Sequence, residues 1–327
     1  MCIRDRRSAQ IAAFRAGGAF DPECNVQFGE GGAGTFSDGK LNTGTHDARI
    51  GFVLAEFAAH GAPEHITYDA KPHIGTDVLV EVVQSLRREV IARGGEVRFG
   101  HRMTGLSAQG GHITALTVRS PEGEYTLPAR QVILAIGHSA RDTFEMLHAQ
   151  GVPMEPKPFS MGVRIEHRQS DINTAQYGAA AERLPAADYS LSCHLPDGSS
   201  AYTFCMCPGG EVFAAASEAG GVCTNGMSNS RRDGENANAA VLVTLHPEDF
   251  PDKGTLGGMY WQRSIEQRAY ASMEGEISSQ RIGDMVMEEL KATNDVAYVR
   301  FAAVYRLFTD IGTFMQELQK LLDEGKK

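Results

Sequence analysis

Five glycines fall within eleven residues, in the segment Gly29-Glu-Gly-Gly-Ala-Gly-Thr-Phe-Ser-Asp-Gly39. Glycine destabilises helices and strands because it loses more backbone entropy on folding than any other residue. The segment is therefore predicted to be a loop whose main chain is largely uncovered. Such a loop can bring several N–H groups close to an anion, and Thr35, Ser37 and Lys40 add hydroxyl donors and a positive charge.

Two interpretations of this loop stay open. It binds a pyrophosphate or the oxygens of a flavin ring, or it is a mobile surface loop. Asp38 argues against a bare phosphate because it adds like charge. Its carboxylate can instead accept a hydrogen bond from a ribityl or ribose hydroxyl.

Length and charge exclude several classes of protein. The 327 residues are predicted to form about two domains. Thirty-one Lys and Arg against 41 Asp and Glu give a net charge of -10, which argues against a nucleic-acid binder. No apolar run approaches the ~20 residues of a membrane span, and the polar start is not a secretory signal. The six cysteines are predicted to be reduced thiols in a cytoplasm.

The first half of the chain is typical of an α/β layout. Its predicted helices cover 8–19, 53–60, a segment capped by Thr76 or Asp77 that ends before Gly94, and 139–149. Its predicted strands cover 96–99, 113–119, 124–127 and 132–136. The run at 132–136 is continuously apolar, which is typical of a fully buried parallel strand.

The end of that strand, Ala135-Ile-Gly-His-Ser139, is a second candidate ligand site. A strand followed by glycine and a helix places oriented N–H groups at the carboxyl edge of a sheet, where ligands bind in open α/β folds. The alternative is a plain strand-to-helix turn. His138 is a candidate proton donor or acceptor, and the alternative is a structural role.

From Pro153 to about residue 272 the chain is strand-like and glycine-rich, with strands predicted at 161–165, 201–206, 212–216 and 239–245, which indicates a second, β-rich domain. Cys205 and Cys207 would share one face of a strand there. They are candidates for metal ligands, for a redox dithiol or for small buried apolar residues. Arg231-Arg232 is predicted to be a solvated turn, and the last fifty residues are predicted to be helical.

Four motifs connect the chain with a known family. They are Phe28-Gly-Glu-Gly-Gly-Ala-Gly-Thr-Phe-Ser-Asp-Gly-Lys-Leu41, Lys71-Pro-His-Ile-Gly-Thr-Asp77, Ile133-Leu-Ala-Ile-Gly-His-Ser-Ala-Arg-Asp-Thr-Phe144 and Tyr202-Thr-Phe-Cys-Met-Cys-Pro-Gly-Gly210. With these motifs, residues 7–272 resemble the bacterial FAD-dependent dehydrogenases, flavoproteins related to the glutathione-reductase type.

The resemblance implies an FAD-dependent oxidoreductase that acts on a small-molecule substrate. NAD(P)H is one candidate partner, and neither a nucleic acid nor a membrane is expected as a partner. It does not identify catalytic residues or a metal site. The residues that it places against FAD are Gly29, Gly31, Gly32, Gly34, Thr35, Ser37, Asp38, Gly39, Lys40, Met103, Ala135, Gly137, His138 and Ser139. Ile136 stands where the related flavoproteins have threonine.

Two family segments are missing, the opening G-x-G-x-x-G unit and a closing glycine-rich FAD segment. The fold class is therefore predicted as α/β, an incomplete FAD/NAD(P)-binding three-layer domain with a β-rich second domain and a short helical tail. We expect exposed strand edges and weak or no FAD binding from such a chain.

The tail from about residue 276 resembles the end of NrdR-type repressors of ribonucleotide reductase genes. A transcriptional regulator is therefore the alternative function, through this tail only. The predicted divisions are a foreign lead at 1–6, a partial FAD-binding domain at 7–152, the β-rich domain at 153–272 and the tail at 273–327. The chain is predicted to be a chimera joined near residues 271–277, with few contacts between the tail and the rest.

Overall fold

Residues 4–41, 45–194 and 200–271 are described by the computed structural model, together with residues 284, 285, 287, 288, 298 and 299. The described α-helices are α1 (Arg4–Arg15), α2 (Ile50–Ala59), α3 (Thr76–Ala92), α4 (Arg141–Ala149), α5 (Gln169–Tyr177) and α6 (Gly257–Ala271). The described strands are β1 (Arg102–Gln109), β2 (His112–Ser120), β3 (Gly123–Pro128), β4 (Phe159–Arg168), β5 (Ser192–His194), β6 (Ser200–Cys207), β7 (Gly210–Ala214), β8 (Thr224–Ser228) and β9 (Asn236–Leu245).

The first sheet is an antiparallel meander in the order β1-β2-β3. The strands predicted at 113–119 and 124–127 are confirmed as β2 and β3, which are joined by a tight turn before Gly123. The strand predicted at 96–99 is wrong, because pairing with β2 begins only at Arg102. Helix α4 lies beside β1, and the Gln150 side chain that follows it accepts a hydrogen bond from the Leu106 N–H at 3.0 Å.

The buried parallel strand predicted at 132–136 is wrong. This segment has no regular secondary structure, and Ile133 is 93% exposed. A continuous apolar run becomes a buried strand only where parallel partners cover both edges and both faces. Every strand pair in the described residues is antiparallel, and none includes this segment. The described fold is therefore mixed α/β with antiparallel sheets, and the three-layer FAD domain stays a prediction.

The second sheet has the order β4-β9-β6-β5, again antiparallel, and β7 and β8 form a separate hairpin. The strands predicted at 161–165, 201–206 and 239–245 lie inside β4, β6 and β9. Strand β9 pairs with β4 along its whole length, from Phe159 opposite Leu245 to Arg168 opposite Asn236. This central position explains why β9 is mostly buried.

Helix α6 covers one face of this sheet and was not predicted. Its buried residues Trp261, Ile265 and Ala269 recur every four positions, the spacing of one helix face. Trp261 and Ile265 form the main apolar cluster with Phe250 and residues of β9. The rings of Phe250 and Trp261 lie 6.2 Å apart between centroids. The strand-like character of the surrounding sequence concealed this helical period.

Described residues of the tail join the same cluster. Met287 and Tyr298 are each 3% exposed and pack with Trp261 and β9, with Val299 against them. The prediction that the tail makes few contacts with the rest is therefore wrong for these residues. The remainder of the predicted helical tail lies outside the described residues, and the domain boundaries stay predictions.

Helix α3 begins at Thr76 as expected, but the predicted cap is wrong. No side chain caps its first turn, which follows Gly75 at φ +85°. The Thr76 hydroxyl instead donates to the Ser228 carbonyl at 3.3 Å, and the Asp77 carboxylate accepts the Ser230 N–H at 2.8 Å. Both side chains thus tie α3 to the end of β8 rather than to its own backbone.

Among the described cysteines, Cys24 differs from the prediction of six reduced thiols. Cys24 is buried and disulfide-bonded, whereas Cys193, Cys205, Cys207 and Cys223 are free thiols. Among the described helices, none is both long enough and apolar enough to pass through a bilayer.

Candidate functional site

Four separate stretches of the chain meet at an open cleft of about 530 Å³, and three of them carry predicted site residues. The loop after α1 contributes Gly29 and Gly32, the start of β1 contributes Met103, and the segment before α4 contributes Ala135 and Ser139. All five had been singled out in the sequence as FAD-binding residues. Ile136, at the position where related flavoproteins have threonine, lines the same cleft.

The other predicted site residues lie away from the lining of this cleft. They are Gly31, Gly34, Thr35, Ser37, Asp38, Gly39, Lys40, Gly137 and His138. Most of the loop side chains among them hold the loop together instead. The Thr35 and Ser37 hydroxyls, for example, donate to the carbonyls of Gly32 and Gly34 at 3.0 and 3.1 Å.

The near end of the glycine-rich loop is held by Arg7, the largest fully buried side chain of the described residues. Its guanidinium donates to four carbonyls and one hydroxyl at 2.7–2.9 Å. The acceptors are the carbonyls of Asn25, Val26, Glu30 and Gly32 and the Thr35 hydroxyl. A planar fork of N–H donors suits this task, because a buried carbonyl left without a donor carries a desolvation penalty.

Gly29 is required by this arrangement. Its φ is +141°, and a Cβ there would lie 2.3 Å from Cδ of Arg7. Any larger residue would force Arg7 out of its position.

The far end of the loop is held by Asp38, whose side chain is 1% exposed. Its carboxylate accepts hydrogen bonds from Arg232 at 2.5 Å and from the Ser228 hydroxyl, and lies 3.1 Å from the Lys40 ammonium. The predicted role of Asp38 toward a ribityl hydroxyl is therefore replaced by an internal one. The prediction that Arg232 is solvated is wrong, since it pairs with this buried carboxylate. The Lys40 ammonium is likewise paired with the Asp38 carboxylate.

The charged lining of the cleft is predominantly acidic. Arg102 donates to Glu23 at 2.8 Å and also pairs with Asp142. Glu218, further along the wall, accepts from Arg141 at 2.7 Å and from Arg263 at 2.8 Å. Burial opposes ionisation of Glu218, but these two guanidinium groups outweigh it and lower the pKa of its carboxyl group.

This lining fits the uncharged parts of a flavin cofactor. The amide of Gln27 and the hydroxyls of Ser139, Thr143 and Ser217 can meet ring edges and ribityl hydroxyls. A pyrophosphate would depend on main-chain donors, because Arg102 is already paired. Within the described residues, the N–H groups of residues 131–139 donate no hydrogen bond, so this wall offers such donors.

Sequence reasoning missed Arg7, Arg102 and Arg141. Each is an ordinary arginine in a polar surrounding, and no spacing rule distinguishes a buried arginine from a solvated one. Only the side chains that they meet show their roles.

The geometry defines a mixed α/β protein with a cleft that is lined in part by residues of two of the motifs quoted above. The family model described as "FAD-dependent protein, C-terminal domain-like" matches residues 158–324, just over half of the chain. The chain therefore belongs to this family. The match continues through the predicted junction at 271–277, and the chimeric origin of the chain stays a prediction.

Two kinds of relative accompany this match. An uncharacterized protein of Clostridium beijerinckii is 43% identical over 291 residues, which is 88% of this chain and 54% of the relative. The transcriptional repressor NrdR of Caldicellulosiruptor saccharolyticus is 62% identical over 60 residues, 18% of this chain and 39% of the repressor. NrdR of Thermoanaerobacter sp. is 61% identical over 62 residues. The chain thus spans about half the length of its long relative.

Proposed function

We propose that the cleft binds FAD and that the chain is part of an FAD-dependent oxidoreductase acting on a small-molecule substrate. The observation that carries this proposal is the meeting of Gly29, Gly32, Met103, Ala135 and Ser139 at one cleft. Gly29 and Gly32 belong to one quoted motif and Ala135 and Ser139 to another, more than a hundred positions further along the chain, while Met103 lies between the two motifs. The cleft volume also lies within the ~300–1,000 Å³ of small-molecule sites.

Each wall has a distinct task in this proposal. Gly29 and Gly32 let the cofactor approach the main chain, and residues 135–139 offer N–H groups to its phosphates. The main chain at Met103 faces the adenine, as the family resemblance implies. The bound flavin would carry the electrons, while the protein supplies binding, orientation and electrostatics.

The test is a titration of the chain with FAD, followed by quenching of flavin fluorescence and extended to high FAD concentration, because a chain that lacks two FAD segments of the family is expected to bind FAD weakly. The informative variant is Ala135→Trp, which fills the cleft from an exposed, irregular segment and disturbs no core. We expect at least tenfold weaker FAD binding, because a large ring then occupies the volume that the cofactor needs. Its matched control is Ile133→Trp, two residues away on the same segment and 93% exposed, which should bind FAD as the wild type does.

Equal affinity of Ala135→Trp and wild type would contradict the assignment of this cleft. Reduction of the bound flavin by NADH or NADPH, seen as bleaching of its absorbance, tests the oxidoreductase part separately. The similarity to NrdR supports no second function here, because it covers less than a fifth of the chain.

A further inference from the structure

We propose that Cys205 and Cys207 form a dithiol–disulfide exchange site, in which Cys205 attacks an external disulfide and Cys207 resolves the mixed disulfide. The site lies at the end of β6, outside the lining of the FAD cleft. It is independent of flavin binding, since the exchange uses only the two cysteines and a disulfide substrate.

The backbone at this site departs from a regular strand. Between Phe204 and Cys207, three steps along β6 face only two steps along β9, which is a β-bulge. Cys205 has a φ of +48°, in the left-handed region that non-glycine residues rarely adopt. The bulge shortens the segment by about one residue rise, ~3.3 Å, which draws the two cysteines together. Sγ of Cys207 accordingly lies 3.2 Å from the Cys205 carbonyl oxygen.

Two cations hold this bulge. Arg164 donates to the Cys205 carbonyl at 3.3 Å and to Oδ1 of Asn238 at 2.7 Å, and the Lys40 ammonium donates to the Met206 carbonyl. Room for Arg164 depends on Gly226 of β8. A Cβ there would lie 2.5 Å from its guanidinium nitrogen. The positive charges are thus built into the fold around the cysteine backbone.

The two thiols differ in accessibility and in acidity. Cys205 is partly exposed, whereas Cys207 is fully buried. The hydrogen bond from Cys207 lowers the pKa of Cys205 to about 6, against the effect of burial, and Lys40 and Arg164 act in the same direction. Asp38 opposes them, but it is paired with Arg232 and Lys40. The pKa of Cys207 is raised, because both the neighbouring Cys205 and the burial of the thiol favour its protonated form.

These differences assign the two roles. The Cys205 thiolate attacks one sulfur of an external disulfide RS–SR, the S–S bond breaks, and RS⁻ leaves. The released thiolate can take up the Cys207 proton, after which the Cys207 sulfur attacks Cys205 of the mixed disulfide and expels the second RS⁻. The cysteine pair loses two electrons and the substrate gains them, which gives one internal disulfide and two thiols.

The test uses the full chain with oxidised and reduced glutathione as the probe pair, followed by alkylation and peptide mass spectrometry. We expect the wild type to form the Cys205–Cys207 disulfide in oxidising mixtures and to lose it in reducing ones. Cys207→Ser should accumulate a glutathione adduct on Cys205, and Cys205→Ser should form none on Cys207. Cys193→Ser is the matched control, because Cys193 is a free, exposed thiol, and it should behave as the wild type.

A second measurement needs no variant. At pH 6, iodoacetamide should modify Cys205 on the order of tenfold faster than Cys193, because the larger thiolate fraction outweighs the lower nucleophilicity of an acidic thiol. Two free thiols at Cys205 and Cys207 in mixtures that glutathionylate Cys193 would overturn the proposal. So would labelling of Cys205 no faster than that of Cys193.

Discussion

The glycine-rich loop at 29–40 and the segment at 131–139 both contribute residues to one cleft, yet they are held in different ways. Buried ionic groups anchor the loop at both ends, through Arg7 and through Asp38. The segment has no strand partner in the described residues, and its apolar side chain at Ile133 is 93% exposed. An irregular segment is therefore anchored where buried charged side chains form hydrogen bonds with it. An apolar sequence alone does not supply such an anchor.

The strongest test of this difference is Arg7→Ala. It leaves several buried carbonyls without a donor, and each costs about 1–3 kcal/mol. We expect a loss of at least ~3 kcal/mol in the free energy of unfolding measured with urea. Arg6→Ala is the matched control, because that side chain is 72% exposed and its ion pair with Asp21 is long at 3.7 Å. Similar losses for the two variants would mean that Arg7 does not anchor the loop.

The other anchor is tested by Asp38→Asn. The amide keeps the shape of the side chain but removes the charge that Arg232 and Lys40 meet in a buried position. We expect a loss of about 2 kcal/mol in the free energy of unfolding, since hydrogen bonds to charged groups contribute ~1.5–3 kcal/mol. Asp47→Asn serves as the control, because Asp47 pairs with Arg49 at the surface, and it should leave stability unchanged. If Asp38→Asn is as stable as the wild type, Asp38 is not an anchor, and Arg7 alone holds the loop.

Acid should weaken the ion pairs that Glu218 makes with Arg141 of α4 and with Arg263 of α6. The pKa of Glu218 is lowered in the folded chain, so its ion pairs stabilise fully above its unfolded value of about 4.3 and are lost as the pH falls through the lower folded value. The stability difference between wild type and Glu218→Gln should therefore shrink below about pH 4. Urea unfolding at pH 7, 4 and 3 measures it, with Glu89→Gln on the surface of α3 as control. A difference that stays constant over this range would contradict the role of Glu218.

The smallest effect is expected in the open segment itself. Ile133→Ser should change the free energy of unfolding by no more than ~0.5 kcal/mol, because the side chain is already in water. The comparison variant is Ile74→Ser, at a fully buried isoleucine of the cluster around α3, where we expect a loss of several kcal/mol. A large loss from Ile133→Ser would show that residues 132–136 are covered by a partner.

The sequence by itself determined the local features of this protein. Glycine density predicted the loop, strand-like runs predicted most of β2, β3, β4, β6 and β9, and the family resemblance named five residues that line one cleft. The loop and the strands follow from the conformational preferences of short segments. They do not depend on distant parts of the chain.

The tertiary structure decided what those features contact. The apolar run at 132–136 remained unpaired because a strand requires partners that its own residues cannot specify. Asp38 and Arg232, 194 positions apart, meet in a buried pair, and this contact removed both from their expected roles. The environment of Cys205 likewise depends on Lys40 and Arg164, which come from other elements. Burial and charge pairing join residues that lie far apart in the chain. A local sequence pattern cannot predict such contacts, because the partner lies outside the segment.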